Sequence, residues 1–360
     1  MPKAKRQVMD RIGKYIFGVI DSNTDFRFFV PNFLSEEGSI YEIHSIPYQD
    51  ISAVVCDLEI VEYTHMRKDA LAKLLVGHQK VIERIMNLKC SILPVKLGTF
   101  ALDEAEVKDV LSKGYSLIKK ITREINDKVE IDVVCAWSDF TAVIKEAGEQ
   151  KEIREFKEQL LKHPESITID EQMRAGVLLK KEIDQMREKR ASRIQDALKT
   201  LCVDYKQHEL MDDKMVINSA FLINEPGQKE FYAKIEDLNT EFEEKLNFRC
   251  VGPLPPYSFF TLEIKKMRFD EVDGARKRLE ILEDCITKDD IKKAYQRQAF
   301  CFHPDKNPDK PGMERAFDEI KKSYDILLDY AQGCAQAGME RLYFNADEFK
   351  KNAVLIKVKG

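Results

Sequence analysis

Apolar positions at the start of this chain switch between two periods. Lys14–Ile20, KYIFGVI, is a β-branched and aromatic run closed by Asp21-Ser22-Asn23, and it predicts a strand. Ser39–Ile46 and Ile51–Val61 predict two more. The second contains the continuous run Ala53-Val54-Val55-Cys56, which suits a central strand. Over 66–88 the period lengthens: Leu71, Leu74, Leu75, His78, Val81, Ile82 and Ile85 recur at helical spacing. Cys90–Phe100 reads as a strand, with Pro94 favouring an edge or bulge and Gly98 a sharp exit. A helix over 103–126 and a strand over Val129–Trp137 complete an α+β unit, its helices packed on one face of the sheet.

From Ser138 the strand signal stops and charge rises. Phe140–Ala147 and Glu152–Lys162 predict short helices, the second ended by His163-Pro164. A long helix over 169–206 follows, with Met173, Val177, Ile183, Met186, Ile194, Leu198 and Leu201 on one side. Its alternating charges read as a solvated face, each i,i+4 pair contributing about 0.2–0.5 kcal/mol, rather than as a partner-binding stripe. Met215–Ile223 predicts a strand, Glu225-Pro226-Gly227 a turn, and Gln228–Leu246 a helix buried through Phe231, Ile235, Leu238 and Phe242. Between Phe248 and Ile264 a strand is broken by Gly252-Pro253-Leu254-Pro255-Pro256. Three prolines in four residues fix φ and remove amide donors, so this run cannot lie in a central strand. It sets the direction of Tyr257, Phe259 and Phe260. An architectural kink is the favoured reading over a polyproline recognition ligand.

Residues 265–276 read as a charged connector. Next, Ile291, Ala294, Tyr295, Ala299 and Phe302 make one apolar helix face, with Thr287 and Asp290 as a capping box at its start. Phe317, Ile320, Tyr324 and Leu327 make another. The two helices flank Cys301-Phe302-His303-Pro304-Asp305-Lys306-Asn307-Pro308-Asp309, a polar turn, and predict a helical hairpin. Beyond it, Gln332–Gly338 reads as a small-residue linker, Met339–Lys351 as a short helix, and 353–360, AVLIKVKG, as a terminal strand. Pairing of that strand within the chain is favoured over addition to a partner's sheet.

Composition narrows the class. At 360 residues, with 44% hydrophobic positions, the chain is long enough for two or three cored domains. A net charge of -5 argues against a nucleic-acid binder. The run after the basic Met1–Arg11 is too short for a signal h-region, and no apolar stretch reaches membrane-spanning length. Cytoplasmic residence without membrane partners is therefore expected. The eight cysteines (56, 90, 135, 202, 250, 285, 301 and 334) form no close metal-type pair and do not cluster with the six histidines. They read as reduced, mostly buried thiols, with no metal site and no cofactor. With no Gly-rich phosphate loop, nucleophile elbow or acid–base constellation at known spacing, an enzyme is not expected.

Two segments carry resemblances. The run IKKAYQRQAFCFHPDKNPD…AFDEIKKSYDILLD resembles the J domain of DnaJ-type co-chaperones over roughly 277–333, with His303, Pro304 and Asp305 at the signature tripeptide. YIFGVI (15–20), SAVVCDLE (52–59), ILPVKLGTF (92–100), NSAFLI (218–223) and above all GPLPPYSFF (252–260) resemble the gas vesicle proteins of the F/L family over about 14–265. In that run Gly252, Pro253, Pro255, Pro256, Tyr257 and Phe259 are the structural motif, while Leu254 stands where the family often has tryptophan. The fold expected is α+β: two α+β subdomains with small, mostly antiparallel sheets joined by a helical segment, followed by an all-α J-like helical hairpin. The expected domains are an F/L-type unit at 1–137, a helical segment with a second α+β domain at 138–265, a J domain at 266–333 and a tail at 334–360.

The residues and the resemblance meet at His303. The bond to Pro304 biases His303 toward extended backbone, Pro304 stiffens the turn, and Asp305 is an acceptor suited to a bidentate arginine. The J resemblance implies a DnaK-type chaperone as partner, docked by this loop with Lys292, Lys293 and Arg297, which lie away from the apolar face. Docking would stimulate the partner's ATP hydrolysis. Gln296, Gln298 and Cys301 depart from the family's usual residues, and a weaker positive face lowers on-rate more than it changes fold. The F/L resemblance implies gas vesicle shell and accessory proteins as partners and residence at gas vesicles. Three readings stay open: an assembly factor that is also a J-domain co-chaperone, a minor structural component of the shell with a non-stimulating J-like unit, and a general co-chaperone for unrelated clients, which would require the F/L resemblance to be fold-deep only.

Overall fold

In chain order the strands and helices are β1 (Ile12–Ile20), β2 (Arg27–Pro31), β3 (Ile40–Tyr48), β4 (Ile51–Glu59), α1 (Lys68–Asn87), β5 (Ile92–Pro94), β6 (Phe100–Ala101), α2 (Glu104–Ile125), β7 (Lys128–Trp137), α3 (Phe140–Gly148), α4 (Lys151–Leu161), α5 (Ile169–Lys199), β8 (Asp204–Gln207), β9 (Met215–Asn224), α6 (Gln228–Glu241), β10 (Leu246–Leu254), β11 (Thr261–Lys266), α7 (Phe269–Arg278), β12 (Cys285–Ile286), α8 (Lys288–Phe302), α9 (Met313–Gln336), β13 (Leu342–Tyr343) and β14 (Val354–Lys359). The structure is a computed structural model that describes residues 12–31, 40–60, 66–162, 165, 167–243, 245–306, 311–336, 338–345, 349 and 354–359. Two compact units result, one made of residues up to Glu124 together with those from Phe260 on, the other of Ile125–Phe259.

The first unit is built on an antiparallel sheet of order β2-β3-β4-β1-β5, with β6 also paired to β1. The continuous apolar run of β4 lies between β3 and β1, and Ala53, Val54, Val55 and Cys56 are all buried. Pro94 sits on β5 at the end of this order, where its missing amide costs no ladder bond. Helix α1 buries Leu74, His78, Val81, Ile82 and Ile85 but leaves Leu75 exposed. The His78 ring shares a 2.8 Å hydrogen bond through Nδ1 with the hydroxyl of fully buried Tyr15. Burial lowers the His78 pKa to about 4, so the ring is neutral at pH 7.

The C-terminal part of this unit packs α7, α8 and α9 around a core that includes Leu279, Ile291, Leu327, Tyr330 and Phe344. β12 pairs with β13, and β14 pairs antiparallel with β11 from Thr261↔Lys359 to Lys266↔Val354. The terminal strand is thus paired within the chain.

The second unit is a four-stranded antiparallel sheet of order β10-β7-β9-β8. Ile131, Val133 and Phe221 line one face, where Phe221 meets Phe231 of α6 at 5.4 Å between ring centroids. Helix α5 adds Ile194 and Leu198 to the buried set and starts in a capping box of Thr168 and Glu171. The proline-bearing strand β10 is an edge strand, as its chemistry requires.

Several boundaries differ from the sequence reading. Strand β7, placed at the end of a first domain 1–137, makes its hydrogen bonds to β9 and β10, so the first unit's N-terminal part ends at Glu124. Periodicity marks a strand but not its partner. The charged connector 265–276 is the end of β11 followed by α7, which buries Val272 and Ala275; its charges pair locally, as in Arg276 with Asp273 at 2.9 Å. Residues 332–336 of the expected linker are the last turn of α9, with Cys334 buried in the core. The long helix stops at Lys199 rather than 206, and Asp204–Gln207 pairs with β9 instead. Helix α6 ends at Glu241, five residues before Leu246. Leu342–Tyr343, inside the expected helix 339–351, is strand; 346–348 and 350–351 lie outside the described residues. Strand β2 was not anticipated. All eight cysteines are free, but only Cys56, Cys135 and Cys334 are buried and Cys301 is exposed.

Candidate functional site

The loop after α8 is shaped by its own side chains. At the helix start, the Asp290 carboxylate accepts from the Thr287 amide at 2.9 Å and its hydroxyl at 2.7 Å. These bonds hold the Asp290 carboxyl below its usual pKa. Ile291, Ala294 and Gln298 face the core, while Lys292, Lys293, Gln296 and Arg297 are exposed on the other side. The helix ends at Phe302, and His303 is extended with φ -61° and ψ 127°, as a residue before proline prefers. Pro304–Lys306 forms a 3₁₀ turn, closed by the Lys306 amide on the His303 carbonyl at 3.1 Å.

His303 serves as the post of this turn. Its Nδ1 accepts from the Asp305 amide at 3.2 Å, and its ring stands edge-on to Phe317 of α9 at 5.3 Å. Accepting at Nδ1 leaves the ring proton on Nε2. The Asp305 side chain is 85% exposed, and its carboxylate stays 3.8 Å from that same Nδ1. Lys306 lies over the Phe300 ring, 3.1 Å from its centroid. Below the turn, Tyr295 and Tyr324 stack at 4.2 Å and join α8 to α9. The loop therefore offers an acceptor carboxylate at the end of a helix whose exposed side is basic. Residues 307–310 of the turn lie outside the described residues.

The second motif lies in the other unit. Val251 pairs with Asp132 and Leu254 with Glu130, so Gly252 and Pro253 together oppose Ile131 in a bulge. Gly252 has φ +156°, and a Cβ there would fall 2.9 Å from the Glu130 carbonyl oxygen. Pro255, Pro256 and Phe259 are buried, while Tyr257 is half-buried. The run then turns, with Tyr257 N–H donating to the Pro255 carbonyl at 2.7 Å and Phe259 N–H to that of Pro256 at 3.1 Å.

One residue pins this turn to the sheet. Glu130, 1% exposed, accepts from the Ser258 amide at 2.8 Å and from its hydroxyl at 2.7 Å. Lys206 donates to the Ser258 carbonyl at 2.9 Å and lies 5.5 Å from the Phe259 ring centroid. Burial raises the Glu130 pKa to about 8; the Ser258 hydrogen bonds oppose this, and neighbouring Asp132, raised for the same reason, adds to it.

With this geometry in hand, comparison with known proteins separates the two halves. Residues 13–261 match the family model for the gas vesicle synthesis protein GvpL/GvpF. The chain belongs to the GvpL/GvpF family. Residues 277–332 match the DnaJ domain, so this family member also carries a J domain. Gas vesicle protein F1 of Halobacterium salinarum is 21% identical over 252 residues, which is 69% of this chain and 93% of that protein. The crystal structure of GvpF from Anabaena sp. PCC7120 aligns with a TM-score of 0.57 at 19% identity, over 68% of this chain and 97% of that one, and so shares its fold. The chaperone protein DnaJ of Paramagnetospirillum magneticum is 50% identical over 48 residues, 13% of this chain and 12% of DnaJ. The chain thus spans about an eighth of the length of that relative.

The structure brings His303, Pro304 and Asp305 into one ordered turn beside the helix that bears Lys292, Lys293 and Arg297. Gly252, Pro253, Pro255, Pro256, Tyr257 and Phe259 form the bulge and turn at the edge of the second sheet. Glu130 and Lys206 escaped the sequence reading, and Ser258 entered it only as part of the run 252–260. VEID alternates like any half-exposed strand, and Glu130 is separated from Ser258 by 128 positions, so nothing local marks Glu130 as buried. Gln298, which the sequence marks only as a departure from the J family's usual residues, faces the core and is 7% exposed.

Proposed function

We propose that this GvpL/GvpF family member is a gas vesicle assembly factor that also acts as a J-domain co-chaperone. The body holds shell components before they are built in, and the J unit recruits a DnaK-type chaperone and stimulates its ATPase. Unassembled shell subunits would expose apolar patches that aggregate unless covered. A body that covers them, joined to a unit that brings in an ATP-driven chaperone, raises that chaperone's effective concentration at the client. The chain itself carries no catalysis in this reading. No helix among the described residues is long and apolar enough to cross a membrane.

The observation that supports it is the turn at His303: an 85%-exposed Asp305 carboxylate held beside a helix with Lys292, Lys293 and Arg297 on its exposed face. A carboxylate so presented suits a partner arginine, and exposed cations speed encounter with an acidic surface. ATP turnover by the host's DnaK-type chaperone, measured with the intact protein and with His303→Gln, tests the J half. The intact protein should stimulate turnover and the variant should not; equal stimulation rejects the reading. Capture of shell protein by the full chain tests the other half. The alternative, a structural component of the shell, predicts stoichiometric retention on washed vesicles, whereas an assembly factor is absent from them.

A further inference from the structure

We infer that the terminal strand β14 fastens the J unit to the N-terminal body as one rigid piece, so that the chaperone-docking loop is presented at a set place rather than on a tether. The β11–β14 ribbon works as a shared layer. Side chains alternate across it. On one side lie Leu262 and Ile356, both fully buried. Ile356 reaches α2: a Cβ added at Gly114 would sit 2.8 Å from its Cδ1. On the other side Leu355, also fully buried, belongs to the core of α7, α8 and α9. Adjacent residues of one strand thus enter the packing of two different parts of the unit.

Polar contacts fix the same ribbon at both ends. Asp329 of α9 takes an ion pair from Lys265 of β11 at 2.6 Å and another from Lys357 of β14. Glu263 of β11 takes Lys96 at 2.6 Å and Lys359 of β14 at 2.8 Å. The Gln336 side chain, in the last turn of α9, accepts from the Ile356 amide at 3.0 Å and donates to its carbonyl. The Lys96 amide donates to the Leu262 carbonyl at 2.8 Å, next to the parallel bridge between Val95 and Leu262. Lys266 adds a 2.7 Å ion pair to Glu106 in the first turn of α2. Without β14, the backbone passing from Lys266 through Met267 and Arg268 into α7 would be the main link. With it, the chain crosses back, and two strands hold α2 and α9 in register. A glycine at 114 leaves the room that this close approach needs.

Distances measured by electron spin resonance test the inference in the full chain. Spin labels on non-canonical amino acids replace exposed Lys80 of α1 and Lys321 of α9, which avoids the native cysteines. The intact chain should give one narrow distance distribution. Removing residues 354–360 should broaden it several-fold. Gly114→Leu should broaden it as well, because the added side chain wedges Ile356 off α2 while Leu355 stays in the J core and keeps that core folded. A broad distribution in the intact chain overturns the inference, and so does a narrow one in Gly114→Leu. The inference stands apart from ATPase stimulation: a clamped but non-stimulating J unit would fail the turnover assay and pass this one.

Discussion

Glu130→Gln should change how the second unit responds to pH. Glu130 is 1% exposed and carries a pKa raised by burial to about 8, well above the ordinary carboxylate value near 4.5. The sign follows from linkage. Between those two values the folded unit keeps a proton that the unfolded chain releases. Stability from this group is therefore fully present below about pH 4.5 and is lost as pH rises toward 8. The slope is at most about 1.4 kcal/mol per pH unit, so the interval from pH 5 to pH 7 costs at most about 2–3 kcal/mol, a cost shared with Asp132 beside it. Glutamine keeps an acceptor for Ser258 but cannot ionise, and that cost should vanish. Trp137, the single tryptophan of the chain, lies on the same strand and is 5% exposed, so its fluorescence follows this unit in urea titrations. Variant stability minus wild-type stability should rise from pH 5 to pH 7, by up to about 2–3 kcal/mol. A flat difference, or one that falls, refutes the reasoning. A falling difference would mean that the Ser258 donors hold Glu130 ionised.

Other perturbations probe separate parts. Gly252→Ala should cost the second unit about 1–3 kcal/mol in the same titration, because its Cβ would lie 2.9 Å from the Glu130 carbonyl oxygen; an unchanged midpoint would show that the bulge can relax. Tyr15→Phe leaves the buried Nδ1 of His78 without its hydroxyl and should cost the first unit about 1–2 kcal/mol by calorimetry. His78 itself, with its pKa lowered to about 4, gives the first unit stability that is lost as pH falls from about 6.5 toward 4; His78→Gln should flatten that limb of the curve. Gln298→Leu should be neutral or stabilise the J core by about 1 kcal/mol, since it replaces a buried amide by an apolar group of similar size. A loss of stability there would show that the amide is hydrogen-bonded within the core; under the proposed co-chaperone function, ATPase stimulation should be unchanged because Lys292, Lys293 and Arg297 remain.

By itself the sequence determined what depends on neighbours along the chain. The spacing of Leu74, His78, Val81 and Ile85 marks a helix and its buried face, because helical geometry alone brings those positions together. The apolar run in β4 marks a strand covered on both faces, and the prolines after Gly252 exclude a central strand wherever the chain folds. Thr287 with Asp290, and His303 before Pro304, set a helix start and an extended turn for local reasons, so the loop was legible residue by residue. Partnerships between distant segments were decided only in the tertiary structure. Strand β7 looked like the close of the first domain until its hydrogen bonds went to β9 and β10. A charged stretch around Asp273 became a helix because its narrow apolar face found a core to cover. Glu130 became a buried anchor only when Ser258, far along the chain, folded over it. The terminal strand announced itself by alternation, but its place between α2 and α9 follows from long-range packing, which period and composition do not encode.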